Sequence, residues 1–113
     1  MPNYIIAQLD DIPAADCPCG QSRRAFVDND NATASLHVVD IKKDARTHYH
    51  KETTETYLIL EGEGQLELDG ESIDVRPMTT ALIKPLCRHR AVGSLKIAIT
   101  CFPKFDPKDE FFD

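Results

Sequence analysis

The chain has 113 residues, of which 42% are hydrophobic, and its formal net charge is −6. This length fits one domain with a single packed core. The acidic balance argues against DNA, RNA or an anionic membrane as the main partner, because those partners require clustered cations.

The first 33 residues are predicted to form an N-terminal arm with an edge strand. YIIAQL (residues 4–9) is short and apolar, which favours a strand, whereas DDIPAADCPCGQSRR (residues 10–24) contains prolines and a glycine and is predicted to be a loop. The N-terminal sequence lacks the basic start and long apolar run of a signal peptide. We therefore expect a cytoplasmic protein whose cysteines are reduced, including Cys17 and Cys19 in a surface loop.

From residue 34 the pattern becomes that of a β-rich domain, predicted to extend over residues 34–102. The apolar runs ASLHVVDI, ETYLILE, TALIKP and LKIAITCF have the length and composition of strands. GEG (residues 62–64) is predicted to be a turn. QLELDGESIDV is predicted to be a hairpin in which Leu66 faces Ile73, because the loop Asp69-Gly70 favours positive φ. Many short strands without a long amphipathic helix indicate a sandwich or barrel.

The remaining residues, 103–113, contain two prolines and several phenylalanines among acidic residues. They are predicted to form a C-terminal arm that lies across a neighbouring sheet or a second subunit.

The stretch THYHKETTETYLILEG carries the residues that could support chemistry. In an extended segment His48 and His50 point the same way, with imidazoles about 7 Å apart. Glu55 and Tyr57 are two residues apart and are therefore predicted to face the same side of the next strand. His89 is a candidate fourth ligand from a distant segment. Three imidazoles and a carboxylate suit a divalent transition metal such as Fe, Mn, Zn, Ni or Co. Four protein ligands leave open positions on an octahedral ion, as in a catalytic site.

The spacing His-x-His-x4-Glu-x6-Gly, formed by His48, His50, Glu55 and Gly62, resembles the first motif of the cupin superfamily. PMTTALIKPLCRH resembles the second motif, with His89 as its histidine. The resemblance covers about residues 36–102 and implies a small single-domain cupin. It implies an all-β fold, a double-stranded β-helix or jelly-roll barrel with N- and C-terminal arms and a metal in one mouth. It also implies a homodimer.

Four positions depart from the family pattern. Met78 and Leu86 stand where the second motif usually has glycine, and Gly93 stands where it has asparagine. Lys42 occupies the position of a glycine upstream of the histidines. These departures affect turn geometry and pocket lining, but they remove none of the proposed ligands.

Several other residues admit both a functional and a structural interpretation. His37 shares a strand face with Val39 and Ile41, so it is either a pocket acid or base or a packed histidine with one hydrogen bond. Tyr57 either donates a hydrogen bond to substrate or belongs to the core. Cys87, two residues before His89, is either a thiolate near the metal or an inert thiol beside the site.

Two pairs of arginines flank these segments. Arg23 and Arg24 either meet a substrate carboxylate or phosphate, or are solvated. Arg88 and Arg90 flank His89 and are expected to point away from it.

Three functions are compatible with these patterns. The first is a metal-dependent enzyme of dioxygenase or isomerase type, with His48, His50, Glu55 and His89 on the metal, and with Tyr57 or His37 assisting proton transfer. The second is a cupin that binds a small sugar or acid without catalysis. The third is a structural β-sandwich in which the histidines are coincidental.

Overall fold

The computed structural model describes residues 3–17, 20–28, 30–42 and 45–113. Within these ranges the regular structure is antiparallel β-sheet with two short 3₁₀-helices, Leu9–Asp11 and Pro107–Asp109, and no α-helix. The predicted all-β class is confirmed. The strands are β1 (Ala15–Cys17), β2 (Gly20–Ala25), β3 (Ser35–Ile41), β4 (Thr54–Leu68), β5 (Glu71–Val75), β6 (Thr80–Ile83) and β7 (His89–Phe102).

The two long strands, β4 and β7, form the centre of the fold. They pair antiparallel from Thr54 opposite Phe102 to Leu68 opposite His89. The first half of β4 also pairs with β6 and the second half with β5. The second half of β7 pairs with β3, which is followed by β2 and β1. Each long strand therefore serves two parts of the sheet, and the arrangement is the predicted double-stranded β-helix, or jelly roll.

The predicted turn at residues 62–64 is wrong, because β4 continues through it. Gly62 has φ +91°, and a Cβ at this position would lie 2.2 Å from the carbonyl oxygen of Ser94 on β7. The pairing with β7 shifts register just before this point, between Ile59 and Glu61. The glycine thus permits a close approach of two backbones within a continuous strand pair.

The hairpin between β4 and β5 is confirmed. Asp69 and Gly70 have φ values of 50° and 86°, and Leu66 pairs with Ile73. A left-handed backbone also occurs at two positions where the family motif has glycine and this chain has a larger residue. Met78 and Leu86 adopt φ values of 78° and 75°, so both turns have a left-handed backbone with side chains present.

The N-terminal segment differs from the prediction in two ways. Residues 4–9 contain no strand, and much of residues 10–24 forms the β1–β2 hairpin instead of a loop. β2 is extended because it pairs with β3, with Arg24 opposite His37. Arg23 donates hydrogen bonds to the carbonyl oxygens of Asp10 and Ile12, which hold the preceding segment against β2. The predicted boundaries of the arms and the barrel stay predictions.

The expectation of reduced cysteines holds for Cys87 and Cys101, which are free. It is wrong for Cys17, which is disulfide-bonded. Cys19 lies outside the described residues.

One hydrophobic core joins strands β3 to β7. Its most buried members include Ile59 and Ile97, which are 1% and 0% exposed and pair across β4 and β7. The core also receives Val39 from β3, Val75 from β5 and Ile83 from β6. Among the described residues, no helix has the length and apolar character needed to cross a membrane.

Replacement of Gly62 by alanine tests the close approach of β4 and β7. Gly62→Ala must relieve a 2.2 Å contact with backbone, whereas Gly70→Ala meets nothing within 4 Å at a similar φ of +86°. The control should lose only the left-handed backbone cost, about 1–2 kcal/mol. We expect Gly62→Ala to lose clearly more free energy of unfolding, measured by urea denaturation. Equal losses would contradict the close approach.

Candidate metal centre and its cavity

His48 and His50 lie in a segment that is held next to the start of β7. His48 and His89 exchange backbone hydrogen bonds of 3.1 and 2.9 Å, forming an isolated β-bridge. The backbone N–H of Leu86 donates to the carbonyl oxygen of His50 at 2.7 Å. These bonds bring a residue pair from one loop beside a histidine more than thirty positions further along the chain.

Glu55 enters the same space from β4. Its Oε1 lies 3.1 Å from Nε2 of His50 and 3.2 Å from Nε2 of His89. The ring centroids of His48 and His89 are 4.3 Å apart. One donor atom from each of these four residues lies within 4.8 Å of the other three. The structure therefore brings together all four predicted ligands, called below the histidine–glutamate cluster (His48, His50, Glu55 and His89).

Backbone carbonyls fix the orientation of each imidazole. Nδ1 of His48 lies 3.1 Å from the carbonyl oxygen of Arg46, and Nδ1 of His89 lies 2.8 Å from that of Cys87. Nδ1 of His50 lies 2.5 Å from the carbonyl oxygen of Asp109. A carbonyl accepts a hydrogen bond, so each Nδ1 carries a proton and each Nε2 faces the cluster. This is the usual second layer around metal-binding histidines.

Three atoms of the cluster are buried and have no hydrogen-bond partner outside it: His50 Nε2, Glu55 Oε1 and His89 Nε2. Polar atoms that converge in a buried space are costly unless a cation lies between them. The donor set therefore fits a divalent transition metal.

The charges of the cluster are tightly linked. Burial opposes ionisation of Glu55, but the imidazoles of His50 and His89 hold its pKa well below the usual range. Burial lowers the pKa of His50, yet Glu55 and the Asp109 carbonyl outweigh this effect and raise the pKa to about 8. Burial and the neighbouring His89 lower the pKa of His48 to about 4. The carboxylate is therefore ionised in any neutral solution.

The cluster opens onto a cavity of about 70 Å³ in the barrel. Both predicted catalytic residues, His37 and Tyr57, line this cavity, and they are 4% and 6% exposed. Nε2 of His37 lies 2.8 Å from Ser35 Oγ and 3.8 Å from Cys101 Sγ. Cys101 Sγ lies 3.5 Å from Glu55 Oε2, so a buried chain of polar atoms links His37 to the cluster.

The side chains that neighbour His89 in the sequence do not enter the cavity. Cys87 Sγ lies 3.7 Å from the carbonyl oxygen of Arg88, away from the cavity, so Cys87 contacts the site through its backbone carbonyl instead of its thiol. Arg88 pairs with Asp113 at 3.0 Å, and Arg90 pairs with Glu67 at 2.6 Å. Both arginines point away from the cavity, as expected.

The C-terminal arm (residues 103–113) contributes residues that the sequence patterns did not single out. The carboxylate of Asp109 accepts hydrogen bonds from the backbone N–H groups of Lys51, Glu52 and Thr53 and from Thr53 Oγ1. Glu110 lines the cavity, and its Oε1 lies 3.9 Å from Nε2 of His48. The run Asp106-Pro107 is a local signal for a helical turn, but nothing in it indicates where the turn docks.

Arg24 and Ser22 line the same cavity from β2. The Arg24 guanidinium lies over the ring of Phe105, 4.6 Å from its centroid. Arg24 Nε and Ser22 Oγ are buried and lack hydrogen-bond partners. The neighbouring Arg23 instead binds the carbonyl oxygens of Asp10 and Ile12. The alternation of strand side chains separates the two arginines.

Comparisons with known proteins agree with this architecture. A family model described as "Cupin domain" matches residues 36–94, slightly more than half of the chain. A crystal structure of a protein from Planctomyces limnophilus has 40% sequence identity and a TM-score of 0.88, covering 99% of this chain and 97% of that chain. An uncharacterized protein from Aquifex aeolicus is 32% identical over 84 residues, 72% of this chain and 69% of that protein.

The fold is also similar to that of the Streptomyces protein Pac13, a nucleoside dehydratase. The TM-score is 0.82 at 15% identity, and the alignment covers 96% of this chain and 90% of that chain. At this level of identity the likeness concerns the fold alone.

Substitution of Asp109 tests the attachment of the C-terminal arm. Asp109→Ala removes the acceptor of four hydrogen bonds to residues 51–53, and we expect a loss of about 1–3 kcal/mol in the free energy of unfolding. The matched control is Asp106→Ala, whose carboxylate accepts one bond, from the backbone of Lys108. Urea denaturation that gives both variants the same stability would contradict the anchoring role of Asp109.

The pH dependence of stability tests the environment of His37. Burial and the neighbouring Arg24 lower its pKa from 6.5 to about 4. A lowered histidine pKa means that the unfolded chain binds the proton more tightly. Stability from this group is therefore complete above about pH 6.5 and is lost as the pH falls towards 4, by up to about 3 kcal/mol.

We expect the free energy of unfolding of metal-free His37→Gln to fall less steeply than that of the wild type between pH 6.5 and 4. The readout is the slope, since the variant also changes the absolute stability. Parallel slopes for the two proteins would contradict the lowered pKa.

Proposed function

Because the chain belongs to the cupin family, we propose that it is a metal-dependent enzyme that acts on a small oxygenated substrate, with dioxygenase or isomerase-like chemistry. The observation that carries this proposal is the histidine–glutamate cluster, in which three imidazole nitrogens and a carboxylate oxygen converge within 4.8 Å. The metal is a divalent transition ion such as Fe, Mn, Zn, Ni or Co, which share these ligands.

His48, His50, Glu55 and His89 would hold the metal. When bound, the ion supplies a Lewis acid for enolisation or a centre for dioxygen activation. The backbone carbonyls of residues 46, 87 and 109 keep the imidazoles aligned, and the ionised Glu55 offsets part of the charge of the ion. The cavity beside the cluster offers the substrate a site partly shielded from water.

We propose that Tyr57 and His37 assist proton transfer in the reaction. Burial and the nearby Glu55 raise the pKa of Tyr57 well above its usual value, so its hydroxyl stays protonated and can donate a hydrogen bond to a substrate oxygen. His37 is neutral at pH 7 because its pKa is lowered to about 4. One of its ring nitrogens is therefore unprotonated and acts as a weak base. Ser35 Oγ, 2.8 Å from Nε2 of His37, orients the ring.

A second candidate function, binding of a small sugar or acid without catalysis, is favoured by the position of the C-terminal arm. Glu110 and Phe112 lie against His48 and narrow the approach to the cluster. Tight binding of a metabolite without turnover in oxygen-uptake and isomerase assays would support this function over the enzyme. A homodimer and a cytoplasmic location remain predictions.

Metal content tests the proposed ligands. Native wild-type protein, purified without chelator, is expected to hold about one metal ion per chain, and Glu55→Ala is expected to lose most of it because the carboxylate is removed. Glu67→Ala is the matched control, since Glu67 lies on the same strand and pairs with Arg90 on the surface. The measurement is elemental analysis of folded protein.

Two results would contradict the ligand set. One is stoichiometric metal in Glu55→Ala. The other is a wild-type protein that neither retains metal nor binds it on addition. His89→Gln provides a second variant if Glu55→Ala does not fold.

A further inference from the structure

The cavity contains polar groups that the proposed chemistry leaves unused. They lie on the inward face of β2, where Ser22 and Arg24 line the cavity two residues apart. Ser22 is 2% exposed. Its Oγ and the Nε of Arg24 are both buried without a hydrogen-bond partner. Leaving two such groups unpaired is costly, so they indicate a ligand that supplies acceptors at this wall.

The surroundings hold the guanidinium in place. Arg24 lies opposite His37 in the β2–β3 pairing, and its guanidinium is stacked over Phe105 at 4.6 Å. The backbone N–H of Phe105 donates to Ser35 Oγ at 2.9 Å, which fixes the ring against the sheet. An arginine whose plane is fixed in this way is suited to pairing with a planar anion.

The charge distribution gives the ligand an orientation. Glu55 and Glu110 both lie beside the histidines, so that end of the cavity repels a free anionic group unless a metal is bound. Arg24 provides positive charge on the β2 wall. The other arginine at the cavity, Arg46, is exposed and lies over Phe112 at 3.9 Å, at the outside of the site.

The size of the cavity limits the ligand. Its volume of about 70 Å³ is well below the roughly 300–1,000 Å³ of pockets that hold drug-sized molecules. A site for one water needs about 10–15 Å³ by this kind of measure, so the cavity has room for a ligand of only a few heavy atoms. A nucleoside does not fit.

We propose that Arg24 and Ser22 bind the carboxylate of a small organic acid whose hydroxyl or carbonyl oxygen faces the histidine–glutamate cluster. This inference rests on the proposed function, for which it names the substrate class. Arg24 is the residue that selects an acid over its neutral analogue, and Ser22 donates a hydrogen bond to the same carboxylate.

The test compares a charged with a neutral ligand of the same shape. Lactate and lactamide are each titrated by calorimetry into two forms of the wild-type protein, one loaded with metal and one metal-free. We expect lactate to bind more tightly than lactamide in both forms, and more tightly in the loaded form. Inorganic phosphate serves as a further probe, and phosphate binding stronger than that of lactate would overturn the assignment to a carboxylate.

Three variants test which side chains are responsible for the binding of lactate. Arg24→Gln is expected to weaken lactate binding by about 10- to 100-fold, the usual value of a charge-assisted bond, and to leave lactamide unchanged. Ser22→Ala should weaken lactate binding by about 3- to 10-fold. Arg23→Gln, which removes the same charge from the opposite face of β2, should change it by less than about twofold.

The outcomes separate this inference from the proposed function. Equal affinity for lactate and lactamide, or equal effects of Arg24→Gln and Arg23→Gln, would overturn the role of Arg24 even if the protein binds one metal per chain. Wild-type protein that neither retains metal nor binds it on addition would overturn the proposed function, while an Arg24-dependent preference for lactate in metal-free protein would still support the inference. Ser22→Ala keeps the test decisive if Arg24→Gln does not fold.

Discussion

A buried carboxylate in contact with two imidazoles is the interaction on which this molecule depends. Glu55 is 5% exposed, and one of its oxygens lies 3.1 and 3.2 Å from two histidine nitrogens. An ionised group in such a place is tolerated only where positive charge compensates it. The register of β4 and β7 and the bridge between His48 and His89 are therefore not incidental, because each carries one side of this contact.

The C-terminal arm supports the same centre from outside the barrel. It supplies the carbonyl that orients His50, the carboxylate that binds residues 51–53, and the ring against which Arg24 is stacked. The arm thus links both ends of the cavity, the histidine end and the β2 wall. A segment that the sequence predicts to lie across a neighbouring sheet or a second subunit contributes contacts to the cavity of its own chain.

Spacing and alternation predicted much of the fold and the centre of the site. His48 and His50 share a direction because they are two apart in an extended segment, and Glu55 and Tyr57 share a face for the same reason. Contacts between residues far apart in the sequence could not be predicted in this way. No local pattern indicates that Asp109 binds the backbone of residue 53, because that contact depends on where the second 3₁₀-helix docks. Nor does one indicate that Arg24 and not Arg23 faces the cavity, because that depends on which face of β2 lies inward.

Two incorrect predictions of local structure, at residues 62–64 and 4–9, have a common physical origin. Glycines at residues 62–64 indicated a turn, but glycine also allows two backbones to approach closely, and here β7 continues to pair across that point. The apolar run at residues 4–9 resembled a strand, yet it has no partner strand in the described structure. In both cases the residues permit more than one conformation, and the neighbouring strands decide between them.

The left-handed residues Met78 and Leu86 have a consequence for recognising distant relatives of this chain. Both turns keep the dihedral angles that glycine would adopt without strain, although a side chain is present. Left-handed φ values thus occur in this molecule at two positions where the cupin motif usually has glycine. A search pattern that demands glycine at these two turns discards chains whose loops follow the same path, whereas a comparison of backbone geometry retains them.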